Sequence, residues 1–133
     1  MKCVMIINPE LPIGLIANTS AILGIALGDN IKDIRGKDLV DLEGNTHLGV
    51  VHIPVPILKS TPINIKEIYK KAEEHGDLFV ADFIDVAQKC KTYEEYIELL
   101  PKTSVNDIGF LGIIIYGKKK VINKLTGNLA LLR

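Results

Sequence analysis

Lys2-Cys3-Val4-Met5-Ile6-Ile7 begins the chain, Asn8-Pro9-Glu10-Leu11-Pro12 interrupts it, and Ile13 to Gly28 then runs on without a single charge. Five successive apolar residues, Cys3 to Ile7, have the pattern of a strand covered on both faces. Pro12 suits the first turn of a helix, whose leading N–H groups lack helical partners in any case. The uncharged stretch after it predicts a helix buried on most of its faces, ended by Gly28-Asp29-Asn30. Ala17, Ala21, Gly24 and Gly28 recur at helical spacing, a stripe that lets a helix approach a sheet or another helix closely. Strand, proline-stiffened loop and helix form the opening unit of an α/β fold, where the loop beyond the strand's C-terminal end is the usual ligand address.

The totals bound what surrounds this unit. With 133 residues, 47% hydrophobic and 24% charged, the chain makes one domain (1–133) with an ordinary globular core. Lys+Arg equals Asp+Glu at 16 each, which excludes nucleic-acid binding by global electrostatics and leaves only a local patch. The absence of Trp and scarcity of other aromatics argue against base-stacking platforms. Cys3 and Cys90 make no disulfide framework and read as inert thiols of a reducing cytoplasm. Leu11 to Gly28 nearly matches the roughly 20 apolar residues of a membrane span. Asn18-Thr19-Ser20 in its middle, Pro12 and three glycines oppose a span, and Asn8-Pro9-Glu10 splits the apolar region of any signal peptide. A cytoplasmic protein without a membrane partner is expected.

Further along, Leu39–Leu42 and Thr46–Leu48 flank Glu43-Gly44-Asn45, the pattern of a hairpin with glycine at its turn. Val50–Ile53 and Val55–Lys59 read as extended, with Pro54 and Pro56 placing them at an edge or bend. Asn64 is read as the cap of a helix with its apolar stripe on Ile65, Ile68, Tyr69 and Ala72, ending at Gly76. Asp77–Ala81 reads as a short strand and Asp82–Cys90 as helical. Thr92, with Glu95 three residues on, caps a helix that turns Tyr93, Tyr96, Ile97 and Leu100 inward and stops at Pro101. Ile108–Tyr116 is a second buried strand, Lys118–Leu125 a last helix, and Leu129–Leu132 an apolar tail that must dock. The order predicts a compact α/β sandwich, a small mixed sheet with helices on both faces.

Several polar groups stand out. Lys118, Lys119 and Lys120 sit at the N-terminus of the last helix, where cations oppose the helix dipole and invite an anionic partner such as phosphate, nucleotide or RNA backbone, or else form a solvated face. Gly112 to Lys118 imitates a phosphate-binding loop, but Lys119 replaces the required Ser or Thr and Ile113–Ile115 read as strand. His47 and His52, five residues apart, face opposite ways on one strand, so no metal site or cofactor is expected. Glu10, Asn18, Thr19, Ser20, Asp82 and Asp85 are the polar groups expected to gather at the strand ends, lining a pocket or satisfied internally.

The closing Val121-Ile122-Asn123-Lys124-Leu125-Thr126-Gly127-Asn128-Leu129-Ala130-Leu131-Leu132 resembles the end of class II (archaeal/eukaryotic-type) peptidyl-tRNA hydrolases, Ile-Asp-Lys-Val-Thr-Gly-His-Leu-Lys-Leu. Gly14-Leu15-Ile16-Ala17-Asn18-Thr19 resembles their Gly-Lys-Ile-Ala-Ala-Gln. The chain is still more similar to the domain-of-unknown-function 2000 family. That likeness rests on a strand followed by Pro-x-Leu-Pro-x-Gly-Leu-x-Ala-Asn, on Tyr116-Gly117, and on Asn123 to Arg133. The resemblance implies a peptidyl-tRNA hydrolase II-like three-layer sandwich. It also places Leu15 where the hydrolases carry a lysine, and Asp82 at their loop aspartate with no threonine following.

Three functions follow as expectations. The first is a protein that binds a small anionic ligand or nucleotide without hydrolysis, through Asn8, Glu10, Asn18 and Thr19, with Lys118 and Lys119 attracting the anion. The second is a diverged hydrolase of peptidyl-tRNA or another ester or amide, with Asp82 (or Glu10) as catalytic base. The third is a homodimeric interaction module completed by the apolar tail and the uncharged helix.

Overall fold

Lys2–Ile7 forms strand β1, and five of its six residues are buried, because it lies inside the sheet with a strand on each side and helices over both faces. The computed structural model describes residues 1–133. Helix α1 (Ile13–Asn30) follows, then a hairpin of β2 (Leu39–Val40) and β3 (Thr46–His47), strand β4 (Ile57–Lys59) and helix α2 (Pro62–Glu73). Strand β5 (Phe79–Ile84), helices α3 (Asp85–Lys89) and α4 (Tyr93–Leu99), strand β6 (Phe110–Gly117) and helix α5 (Lys119–Thr126) complete the α/β order read from the sequence.

The main sheet has the order β4-β1-β6-β5. β1 runs parallel to β4 and antiparallel to β6, with Lys2 opposite Gly117 and Ile7 opposite Gly112, and β6 runs antiparallel to β5. Side chains alternate between two cores, as strand geometry requires. Val4, Ile6, Ile113 and Ile115 meet Ile65, Ile68 and Ala72 of α2 and Ile122 of α5. Cys3, Met5, Ile7 and Ile114 meet Leu23 and Leu27 of α1 on the opposite face.

Helix α1 departs from its expected burial. Only Thr19, Leu23 and Leu27, one stripe at i, i+4 and i+8, are buried, while Ile13 and Ile25 are 86% and 72% exposed. Ala17, Ala21, Gly24 and Gly28 all face outward, so the small-residue stripe does not mediate packing on the sheet. That role belongs to Gly112 of β6, where a Cβ would lie 2.9 Å from the Thr19 methyl and 3.1 Å from the Ile6 carbonyl oxygen. The helix continues to Asn30, and the residue with positive φ comes later, at Asp33 (60°).

Other boundaries shift for local reasons. β5 continues through Asp82 to Ile84, so Asp82 lies within an edge strand and the helix starts at Asp85. Thr61, not Asn64, caps α2 by accepting from the Asn64 N–H at 3.2 Å, while the Asn64 amide donates to Ser60 Oγ at 2.7 Å. Thr92 caps α4 as read, accepting from the Glu95 N–H at 3.2 Å. Tyr96 and Leu100 pack on the core, but Tyr93 and Ile97 stand exposed. Of the extended region 50–59, only Ile57–Lys59 joins the sheet, and Val51 forms a lone bridge with Arg35. The tail docks within its own chain: the Lys59 N–H donates to Ala130 O and the Leu132 N–H to Ile57 O, both at 2.9 Å. It thereby covers the outer edge of β4, a position that otherwise invites strand pairing.

Candidate functional site

The loop after β1 is closed by its own residues. Asn8 Oδ1 accepts from the Glu10 N–H at 3.0 Å, and the Asn8 N–H donates to Leu111 O at 3.0 Å, giving a self-contained turn. Thr19 is fully buried, with its hydroxyl donating to Leu15 O at 2.7 Å, and Ser20 donates to Ile16 O at 3.0 Å. These bonds satisfy the hydroxyls within the helix. Glu10 and Asn18 are exposed. Leu15 is half-buried against the α1-side core. At the end of β5, the Asp85 N–H donates to Gly109 O at 2.9 Å, and Asp85 Oδ1 is buried without a partner. Five cavities of about 240 to 610 Å³ are lined by none of Asn8, Glu10, Asn18 and Thr19.

The lysines lie at the other end of the sheet. Lys118 stands at the N-cap position of α5 without a side-chain capping bond, its Nζ 4.0 Å from Asp77 Oδ2. Lys119 lines a cavity of about 280 Å³ with Met1, Lys2, Cys3, Ile53, Pro54 and Pro56. β1 separates this end from Asn8 and Glu10, and at ~3.3 Å per residue its length is roughly 20 Å. One small ligand therefore cannot touch both sets. The histidines are engaged locally: His47 Nε2 lies 2.8 Å from Asp41 Oδ2, and His52 Nε2 lies 3.0 Å from Asp33 O. No three His, Cys, Asp or Glu side chains converge as metal ligands.

Asp82 occupies a different environment. Beside the free edge of β5 lies a cavity of about 380 Å³, lined by Ile22 of α1, Asp82 and Phe83, Ala87, the Cys90–Tyr93 segment and Tyr96. Burial pushes the Asp82 carboxyl above the usual carboxylate range; a hydrogen bond from Tyr69 partly opposes this, and the charge of Glu73 adds to it. Burial likewise pushes the Tyr69 phenol up, reinforced by Asp82 and Glu73. The Tyr96 phenol is raised by burial and then by Asp82. Lys91 supplies the cation on the cavity wall, and the Thr92 hydroxyl is spent on capping α4. A desolvated carboxyl in a mostly apolar cleft can anchor a polar group or exchange a proton. The sequence singles out Asp82 but not the Tyr69, Glu73, Lys91 and Tyr96 that surround it. The available signal was one acid inside the apolar run Phe79–Ile84.

A four-stranded mixed sheet between helical layers, with a half-buried carboxyl on its edge strand, defines an α/β domain. The chain belongs to the family described as Protein of unknown function (DUF2000), whose model matches residues 1–133. A protein of unknown function from Agrobacterium tumefaciens strain C58, Atu0240, has a similar structure, with a TM-score of 0.87. The match covers 98% of this chain and 96% of that one at 16% identity, a likeness of fold alone. No curated protein matches the sequence.

Proposed function

We propose that this protein binds a small ligand in the cavity beside Asp82 and does not hydrolyse it. The observation that carries this reading is the desolvated carboxyl of Asp82 on the wall of a mostly apolar cavity. Burying a carboxyl costs free energy, and an arrangement that retains it in a cleft marks a binding or catalytic role. Ligand pockets typically measure roughly 300–1,000 Å³, so this cavity suits a compact metabolite and is small for a nucleotide. The ligand carries a hydrogen-bond donor for Asp82, an anionic group for Lys91, and an apolar body for Ile22, Phe83 and Tyr96. We read the fold as peptidyl-tRNA hydrolase II-like on the opening and closing segments. Leu15 in place of the hydrolases' lysine removes a cation from the reaction site and favours binding without cleavage.

Thermal denaturation against small carboxylates and phosphates, with and without amino or hydroxyl groups, tests the reading. Donor-bearing anions raise the melting temperature by mass action, and Asp82→Ala and Lys91→Ala each weaken binding at least tenfold. A panel without any shift overturns the proposal. Cleavage of N-blocked aminoacyl-tRNA that Asp82→Ala abolishes replaces it with the hydrolase reading.

A further inference from the structure

Two unusual surfaces lie together on this molecule. The first is the outward face of α1. Ile13, Gly14, Ala17, Asn18, Ala21, Gly24, Ile25 and Gly28 are all exposed, and at ~100° per residue they fill a continuous stripe opposite the Thr19–Leu23–Leu27 side. A helix facing solvent normally carries charges there, and this one carries none before Asp29. The face is also smooth, since a Cβ placed at Gly14, Gly24 or Gly28 would meet nothing within 4 Å.

The second is the arm formed by residues 37–50, none of which is buried. Its large apolar side chains Leu39, Val40, Leu42, Leu48 and Val50 stand in solvent, Leu42 at 96% exposure and Leu48 at 74%. A two-stranded hairpin alone is marginal in water, and this one offers bulky apolar groups that its own chain leaves uncovered. Two of its three acids are engaged within the chain, and Glu43 is free. Asp38 Oδ1 lies 3.1 Å from Arg35 Nη1 and accepts from the Gly49 N–H at 2.8 Å, and Asp41 pairs with His47. The two surfaces meet at the root of the arm, where Gly24, Leu27 and Gly28 line a cavity of about 240 Å³ with Ile34, Arg35, Val51 and Val55.

We infer that these surfaces are the two halves of a symmetric dimer interface, the apolar arm of each copy lying on the uncharged face of α1 of the other. One chain supplies both a set of projecting side chains and a smooth neutral track to receive them. A two-fold axis uses both reciprocally, as an isologous contact requires. The arm and the exposed α1 stripe together approach the roughly 20–30 residues a side of a standard interface. Such an interface covers ~800 Å² per partner, about a tenth of the 8704 Å² of this chain. Charge favours a second copy over an anionic membrane or RNA, because the track has no cation and the arm sets one lysine, Lys37, against Asp38, Asp41 and Glu43. This inference is independent of the ligand cavity.

Sedimentation of the full chain over a concentration series tests it, with a species of twice the 14.6 kDa chain mass as the expected result. Ile25→Lys and Leu42→Lys alter exposed side chains, keep the circular dichroism of the fold, and each raise the dimer dissociation constant at least tenfold. Mixing Ile25→Cys chains with Leu42→Cys or Leu48→Cys chains under oxidation gives mixed disulfide dimers, which locates arm on helix across the two copies. A monomer at every concentration overturns the inference. So do Ile25→Cys chains that cross-link only to themselves, since that result describes a helix-on-helix dimer. Capture of the monomer by phosphatidylcholine vesicles, abolished by Ile25→Lys, overturns it in favour of a lipid surface.

Discussion

Thr19 illustrates how a residue with a functional look can be fully accounted for by packing. Its hydroxyl serves Leu15 O and its methyl rests on Gly112, so the pair works as a spacer between helix and sheet. Gly112→Ala pushes a methyl into that contact and the Ile6 carbonyl, and costs about 1–3 kcal/mol in urea denaturation. Thr19→Val preserves the shape and removes a bond that a helix does not need, so stability changes by less than ~1 kcal/mol. Cys3 gives a second check at this scale. Burial pushes its thiol up to about 11, so alkylation of the native protein at pH 8 modifies the half-buried Cys90 first and Cys3 only after unfolding.

Elements were legible in the sequence wherever one physical cause dominated. β1 and β6 announced themselves as unbroken apolar runs because both are interior strands covered on two faces. The hairpin turn was legible because Gly44 is the residue that takes positive φ (88°). α1 was legible as a helix but not in its burial, since lack of charge does not say which face meets the sheet. β5 was cut short at Asp82 because its tolerance for an acid comes from Tyr69 and a free edge, long-range facts that no local pattern carries. The surroundings of Asp82 are the least legible part, because Tyr69, Asp82, Lys91 and Tyr96 converge only through tertiary structure, whereas Asn8, Thr19 and Ser20 take their bonds from near neighbours in sequence. The hairpin itself supplies a pH prediction. The bond to His47, and then those from Asn45 and Glu43, hold the Asp41 carboxyl below its usual value. A lowered acid favours the folded turn above the ordinary carboxylate range and loses that support as pH falls through the lowered value. Amide NMR signals of Glu43 and Asn45 therefore collapse toward coil positions below about pH 4, before the main sheet changes.

For the whole molecule, stability and the proposed binding pull against each other at Asp82. The folded chain holds the Asp82 proton more tightly than the unfolded chain, so this residue costs nothing below the ordinary carboxylate range. The cost grows as pH rises through the raised value. Glu73 and Tyr69 face the same carboxyl and set that environment. Asp82→Asn therefore raises the denaturation midpoint at neutral pH, by a margin that vanishes below about pH 4, while abolishing the binding we propose for its cavity. The tail gives the opposite case, a segment whose value is structural. Removing residues 129–133 strips two backbone bonds from β4 and takes away the half-buried Leu129 and Leu132 that pack on the two cores. The expected loss is about 2–4 kcal/mol in denaturant unfolding, with aggregation at the exposed edge visible by light scattering.

The pairing of Lys2 with Gly117 at the middle of the sheet has a consequence for the order of assembly. β1 leaves the ribosome first, yet its antiparallel neighbour is made more than a hundred residues later. At ~5–20 residues per second, that wait lasts on the order of ten seconds. Throughout it, the most apolar strand of the nascent chain has one edge without a partner, an opening for chaperones and for misassociation alike. Folding of this domain is thereby tied to the synthesis of β6, since neither core closes before that strand arrives.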